Sequence, residues 1–252
     1  MISDIVRWLE PYPFLYRPAR SVYRAGCRVR DARRRRHEEH IAREFHRIFY
    51  HGPLGQDGLW FTINWLGVPV QKLPFDLCIM QEILYETRPE LIIECGMYHG
   101  GSTWFLASIC DALDCGQILA CDITHQNLHP AVSTHPRIEL VETGSTSPEF
   151  AELARTRAAG KRTMVILDSD HSRDHVLNEL RLHGPLVSPG CYLICEDTNI
   201  NGHPVFEDFG PGPWEALQQY LAESPGMWTV DEHRERLMVT FNPGGYLRRN
   251  AE

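Results

Sequence analysis

From Leu91 onward, short apolar runs alternate with amphipathic ones, and nothing else in the chain restricts its fold as strongly. "LIIEC", "QILACDI", "IELVET", "TMVILD" and "CYLICED" each read as a strand. Ser102 to Leu113, "SPEFAELARTRA", "SRDHVLNELRLHG" and "PWEALQQYLA" carry the spacing of helices. Short apolar strands separated by helices imply a mostly parallel sheet covered on both faces, a doubly wound α/β fold. The last two runs, near "WTVDE" and "RLMVTFN", have no helix between them, so one of the two is expected to run antiparallel. At 252 residues with 43% apolar content, the chain can bury a sizeable core.

Upstream of this rhythm the pattern changes. "DLCIMQEILYETR" has helical spacing, with Asp76 as its expected N-cap. "LWFTINWLGVPVQKLPFD" reads as an aromatic, proline-punctuated loop, in which Trp60 and Trp65 serve either as a lid or carbohydrate platform or as core packing. Residues 1–58 form a basic helical extension: "DIVRWLE" is a short amphipathic turn broken by Pro11 and Pro13, followed by a long polar helix through "RRRR". Arginine crowds this segment while the chain as a whole carries a formal charge of -8, which argues against a general nucleic-acid binder. The four-arginine run is a solvated face, a contact for anionic lipid at a membrane surface, or a subunit contact. No run of about 18 apolar residues exists to span a bilayer, and "MISDIVRWLEPYPF" lacks a secretory apolar core, so a cytoplasmic location is expected. Eight cysteines form no CxxC pair; Cys95, Cys121, Cys191 and Cys195 fall in or beside strands and read as reduced core thiols.

Two places carry chemistry. The first is the turn "IIECGMYHGGSTWFL", with Gly96, Gly100 and Gly101 between a strand and a helix. Glycines there admit a ligand close to the backbone, and a helix start offers free N–H groups. The spacing matches neither GxGxxG nor the P-loop pattern. Glu94 would repel a pyrophosphate but suits the ammonium of an amino-acid ligand, and Asp122, closing the next strand, suits the two hydroxyls of a ribose. That pair fits an aminoacyl nucleoside, of which S-adenosylmethionine is the common example. A glycine turn kept for tight packing is the plain alternative.

The second place is acidic. Asp168 ends one strand, and Glu196 and Asp197 end the next. If the two strands are neighbours, about 4.8 Å apart, three carboxylates converge. Such a cluster is costly bare and is relieved by a divalent cation; an all-oxygen set favours magnesium, manganese or calcium. Asp168 alone would read as a helix N-cap, and Asp170 and Asp174 as cap or surface groups. His171, three residues after Asp168, is placed as a general base near neutral pH. His175 is expected to face the helix side. "NINGHPVFEDFGPGP" is a loop expected to shape a substrate pocket, with His203 at the surface.

Together "ECGMYHGGS", "VILDSDHSRDHVLNELRLHGPLVSPG", "YLICEDTNINGHPV", "FGPGPWEAL" and "FNPGGYL" resemble the cephalosporin hydroxylase family of class I S-adenosylmethionine-dependent methyltransferases, related to rhamnosyl and macrolide-sugar O-methyltransferases. The resemblance implies a seven-stranded Rossmann-like sheet over residues 59–252. It implies methyl transfer from S-adenosylmethionine to a hydroxyl of a sugar or glycosylated small molecule, with Mg2+ or Mn2+. The family's metal acids fall on Asp168, Glu196 and Asp197, and its base on His171. An E-x-G-x-Y-x-x-x-S segment like that of catechol O-methyltransferase adds Glu94, Gly96, Tyr98 and Ser102 to the cofactor contacts. Gly100, Asp122, Ser145 beside the adenine, and Asp168 bordering both ligands complete that set. A homo-oligomer is implied as well. A nucleotide-dependent oxidoreductase is disfavoured by the missing GxGxxG. A cofactor-binding subunit without turnover, or a partner-dependent methoxylation component, remains a competing reading.

Overall fold

A computed structural model of the protein describes residues 13–54 and 56–251. "DIVRWLE" therefore lies outside the described residues. The chain divides into two compact units, one ending at Phe45 and one running from His46 to the C terminus. The first consists of most of helix α1, Pro13–His51, a polar helix as the sequence predicts. Its last turns belong with the second unit: His46 stacks on Phe241, and Tyr50 meets Trp60 and Phe241. No helix among the described residues is long and apolar enough to cross a membrane.

The second unit opens with a two-stranded ribbon, β1 (Asn64–Trp65) and β2 (Val68–Pro69), then helix α2 (Pro74–Thr87). The main elements follow as β3 (Leu91–Cys95), α3 (Gly101–Leu113), β4 (Gln117–Asp122), β5 (Ile138–Glu142), α4 (Pro148–Ala158), β6 (Thr163–Leu167), α5 (Arg173–His183), β7 (Tyr192–Cys195), α6 (Pro213–Glu223), β8 (Trp228–Val230) and β9 (Tyr246–Arg249). Seven strands form one sheet in the order β5-β4-β3-β6-β7-β9-β8. Strands β3 to β7 are parallel, and β9 runs antiparallel to both of its neighbours. Separate apolar clusters cover the two faces, one under α4, α5 and α6, the other under α2 and α3. The chain reverses direction across the sheet between β3 and β6, the place where doubly wound folds open a crevice for ligands.

Register decides which residues meet there. Cys95 pairs with Cys121 on one side and Leu167 on the other, and Leu167 pairs with Cys195. The next residue of each strand is therefore level with the others, giving a row Asp122, Gly96, Asp168, Glu196 along the carboxyl edge. Gly96 is required by that crowding: φ is 85°, and a Cβ would sit 2.0 Å from the carbonyl oxygen of Asp168.

Two expectations are corrected. "RLMVTFN" is not a strand; the closing strand is "YLRR", β9. Val239 and Phe241 are buried without joining the sheet, because the polar groups of this segment serve other partners. Thr240 Oγ1, Phe241 N and Tyr246 OH all donate to the Asp76 carboxylate, and Asn242 Oδ1 accepts from Asp197 N. Asp76 is accordingly not an N-cap. Leu73 precedes α2, and Asp76 lies inside its first turn, buried, its pKa pushed up to about 6 by desolvation against those three donors.

Candidate active site

A cavity of about 560 Å³ opens above the row at the carboxyl edge, within the second unit. Its wall joins the glycine turn (Gly96, Met97, Tyr98, Ser102), Asp122, Ser145 and the acid edge (Asp168, His171, Glu196, Asp197) in one space. Gly100 and Glu94 are not on that wall. Gly100 sits before α3 with φ 79°, against Leu128 and Val132, and serves packing.

The turn is organised by Asp122. Its Oδ2 accepts from Met97 N at 3.0 Å and Tyr98 N at 2.8 Å. This carboxylate thus shapes the loop as well as facing the cavity, and Tyr98 takes φ 46° as the chain turns over it. Glu94 lies beneath, 0% exposed. Thr103 Oγ1 donates to Glu94 Oε2 at 2.5 Å, while Oε1 has no partner among the described residues. Burial raises this carboxyl to about 7 against donation from Ser102 and Thr103. An orphaned buried carboxylate oxygen beside a glycine turn fits an ammonium group, and Asp122 fits a diol; both belong to S-adenosylmethionine.

At the other end, Asp168, His171 and Asp197 each offer a ligand atom, all within 4.8 Å of one another. His171 Nε2 lies 3.4 Å from Asp168 Oδ1 and 3.2 Å from Asp197 Oδ2. Strand alternation would turn Asp197 to the opposite face from Glu196. Its left-handed backbone, φ 54°, and the Asn242 contact bring it back. Burial lowers the affinity of His171 for a proton, but the Asp197 and Asp168 carboxylates outweigh this and hold its pKa at about 9.

Of the three expected acids, Asp168 and Asp197 come together with His171. Glu196 does not join the compact trio; it is paired with a lysine that sequence reading passed over. Lys72 Nζ is 2.8 Å from Asp168 Oδ2 and 3.1 Å from Glu196 Oε1, and its side chain is 5% exposed. Desolvation disfavours the Lys72 ammonium, and the two carboxylates more than compensate, so it stays charged. Burial raises Glu196 to about 8 with Asp168 adding to it, whereas Lys72 and His171 bring Asp168 down to about 2 against its own burial. Three carboxyl groups converge here, and once His171 and Glu196 give up their protons the oxygen donors suit a hard divalent cation such as magnesium.

Lys72 reaches the site because the β1–β2 ribbon is clamped on α3. Gly101 lies so close to Pro69 that a Cβ would come 2.0 Å from its carbonyl oxygen. The signal that could have found it is compositional: Lys72 is one of two lysines in the sequence, set among apolar residues in "GVPVQKLPF".

Other expectations resolve individually. Trp60 lines the cavity together with Phe241, and Trp65 does not; it packs edge-on against Phe105 at 4.9 Å and donates to Ser108. Asp168 does not cap α5: the N-cap is Ser172, without a side-chain capping bond, and Asp170 Oδ1 accepts from Ser172 N in the turn before it. His203 stacks on Trp214, off the cavity wall. His175, expected on the helix side, lines the cavity instead, with Nε2 3.0 Å from Ser145 Oγ.

The family model described as Rhamnosyl O-methyltransferase/CmcI matches residues 57–250. A rhamnosyl O-methyltransferase of Mycobacterium leprae (strain TN) is 41% identical over 216 residues, which is 83% of this chain and 90% of that protein. One of Mycobacterium tuberculosis (strain ATCC 25618 / H37Rv) is 41% identical over 217 residues, 83% of this chain and 85% of that protein. Among solved structures, CmcI-N160 in its apo form superposes with a TM-score of 0.62 at 22% identity, covering 79% of this chain and 81% of that one. The Mg- and SAM-bound cmcI-D160 gives 0.60 at 22% identity over 76% and 78%. Both share the fold described above. This protein belongs to the Rhamnosyl O-methyltransferase/CmcI family.

Proposed function

We propose that the protein transfers a methyl group from S-adenosylmethionine to a sugar hydroxyl with the help of a divalent cation, magnesium or manganese. One observation carries this reading: a single cavity joins the turn suited to an aminoacyl nucleoside with the carboxylate cluster suited to a hard cation. The relatives' activity on rhamnosyl groups supports a sugar as the acceptor.

In this reading Ser102 meets the amino-acid end of the methyl donor, with the buried Glu94 carboxyl behind it, Asp122 its ribose, and Ser145 its base. Asp168 and Asp197 would hold the cation, joined by Glu196 once it parts from Lys72, and the cation would supply Lewis acidity and a template for the acceptor hydroxyl. His171 Nε2 takes the hydroxyl proton as the new C–O bond forms and the S–C bond breaks. The products are the methyl ether, S-adenosylhomocysteine and a protonated imidazole. The same carboxylates that would hold the cation hold the His171 proton when they are free. His171 thus becomes a competent base once they are engaged elsewhere. Trp60 and Phe241 give the acceptor an apolar wall on which a sugar's C–H face can rest.

The test is a rhamnosylated acceptor incubated with S-adenosylmethionine, with and without magnesium, and read by mass spectrometry. One added methyl group that disappears with EDTA is the expected result. Methylation undiminished by EDTA, or none on any glycoside of a broad panel, would refute the reading.

A further inference from the structure

Helix α5 turns a stripe of ionisable side chains toward the sheet. His175, Glu179 and His183 follow one another at four-residue spacing on one face. Glu179 and His183 are fully buried, and neither takes part in the reaction proposed above. Burying a carboxylate and an imidazole beside apolar Val176 and Leu180 is costly unless they are put to use.

The contacts define a directed chain. Ser169 Oγ is 2.6 Å from Glu179 Oε1, and since a carboxylate only accepts, the serine donates. His175 Nε2 has three oxygens around it: Ser145 Oγ at 3.0 Å, Ser169 Oγ at 3.1 Å and Glu179 Oε1 at 3.5 Å. A nitrogen lone pair facing three oxygens, one of them anionic, would be repelled, so Nε2 carries a hydrogen. Glu179 favours that arrangement, raising the His175 pKa above the ordinary value. With the imidazole donating, the Ser145 hydroxyl hydrogen is left with Ser169 Oγ at 3.5 Å, beyond the usual O–H···O range. It is free to point into the cavity, whose wall includes Ser145, Ser169 and His175. His183 Nε2 donates to the Ser145 carbonyl at 2.8 Å and fixes the loop that carries this hydroxyl.

We propose that the Glu179–Ser169–His175 chain commits Ser145 as a hydrogen-bond donor toward a purine, and thereby selects adenine over hypoxanthine at this end of the cavity. The inference rests on the methyl-donor reading above. Adenine N1 is an acceptor and completes the chain. Hypoxanthine N1 bears a hydrogen and would face a second donor, leaving both unmatched, which weakens binding roughly ten- to hundredfold. Glu179 and His175 act here as positioning residues, through Ser145.

The test is calorimetric titration with S-adenosylhomocysteine and with S-inosylhomocysteine. The wild type is expected to prefer the adenine compound by that roughly ten- to hundredfold margin. Glu179→Met keeps the volume and removes the acceptor that directs the chain, so the preference should shrink to within about threefold, mainly through tighter binding of the inosine compound. Ser145→Ala, a mild change should Glu179→Met fail to fold, should abolish the preference as well. A preference kept in either variant, equal weakening of both ligands, or no preference in the wild type overturns the inference while leaving the methyl-donor reading intact. A wild type that binds neither compound overturns both.

Discussion

The two ends of the cavity solve the same electrostatic problem in opposite ways. At the glycine turn, the negative charge of Asp122 is met by backbone N–H groups, those of Met97, Tyr98 and Thr124. At the acid edge, three carboxylates are met by side-chain cations alone, Lys72 and the imidazole of His171. Backbone donors are fixed by the fold and cannot leave. Side-chain cations can be displaced or discharged. The donor end is therefore built before its ligand arrives, while the acid end holds provisional counter-ions in the place a metal would take.

Four perturbations separate the ends. The largest effect is expected from Asp168→Ala, which removes the group shared by Lys72 and His171. Turnover should fall on the order of 10³-fold, since cation chemistry is worth several kcal/mol, with S-adenosylhomocysteine affinity within a few-fold of wild type. Calorimetry showing both functions lost together would mean the ends are not separable. Next is Lys72→Met. Removing one partner of a buried ion pair costs about 3–5 kcal/mol, a drop in Tm on the order of 10 °C for a domain of this size. Magnesium should restore more of that loss than it adds to the wild type; an unchanged Tm would show that Lys72 is not the counter-ion.

The third perturbation is pH. In the metal-free protein the His171 pKa is raised to about 9 from its ordinary 6.5. The stability it contributes is complete below the ordinary value and is lost as pH rises through the folded value. That amounts to about 3 kcal/mol at most between those limits. Melting curves in EDTA should show the decline, and His171→Asn should flatten it. The smallest effect is expected at the pre-built end: Asp122→Asn keeps an acceptor for Met97 and Tyr98 but loses its charge, for roughly a tenfold loss of cofactor affinity with magnesium binding unmoved.

Much of this arrangement could be read from the sequence, for a definite reason. In a parallel sheet, the residue that ends each strand is delivered to one edge, so Asp122, Gly96, Asp168 and Glu196 needed only correct strand ends to be grouped. Lys72 was invisible to that logic because it arrives from a ribbon outside the sheet, across 96 residues of sequence from Asp168. Glu196 was grouped correctly, but its ion pair with Lys72 was missed for the same reason. His175 was misplaced because a polar residue on a helix reads as solvent-facing by default. Its spacing with Glu179 and His183, among Val176, Leu177 and Leu180, was the available sign of a buried polar stripe. The apolar run "LMVTF" looked like a strand because burial and strand pairing leave the same trace in composition. Only the Asp76 and Asn242 contacts show how that segment is used.

The contact of Gly96 with the carbonyl of Asp168 has a consequence for how such a protein can diversify. Main chain crowds main chain between the glycine turn and the first acid, so no side chain can be inserted between them at position 96. Variation is left to the loops around Trp60 and after Asp197, which border the cavity away from this contact.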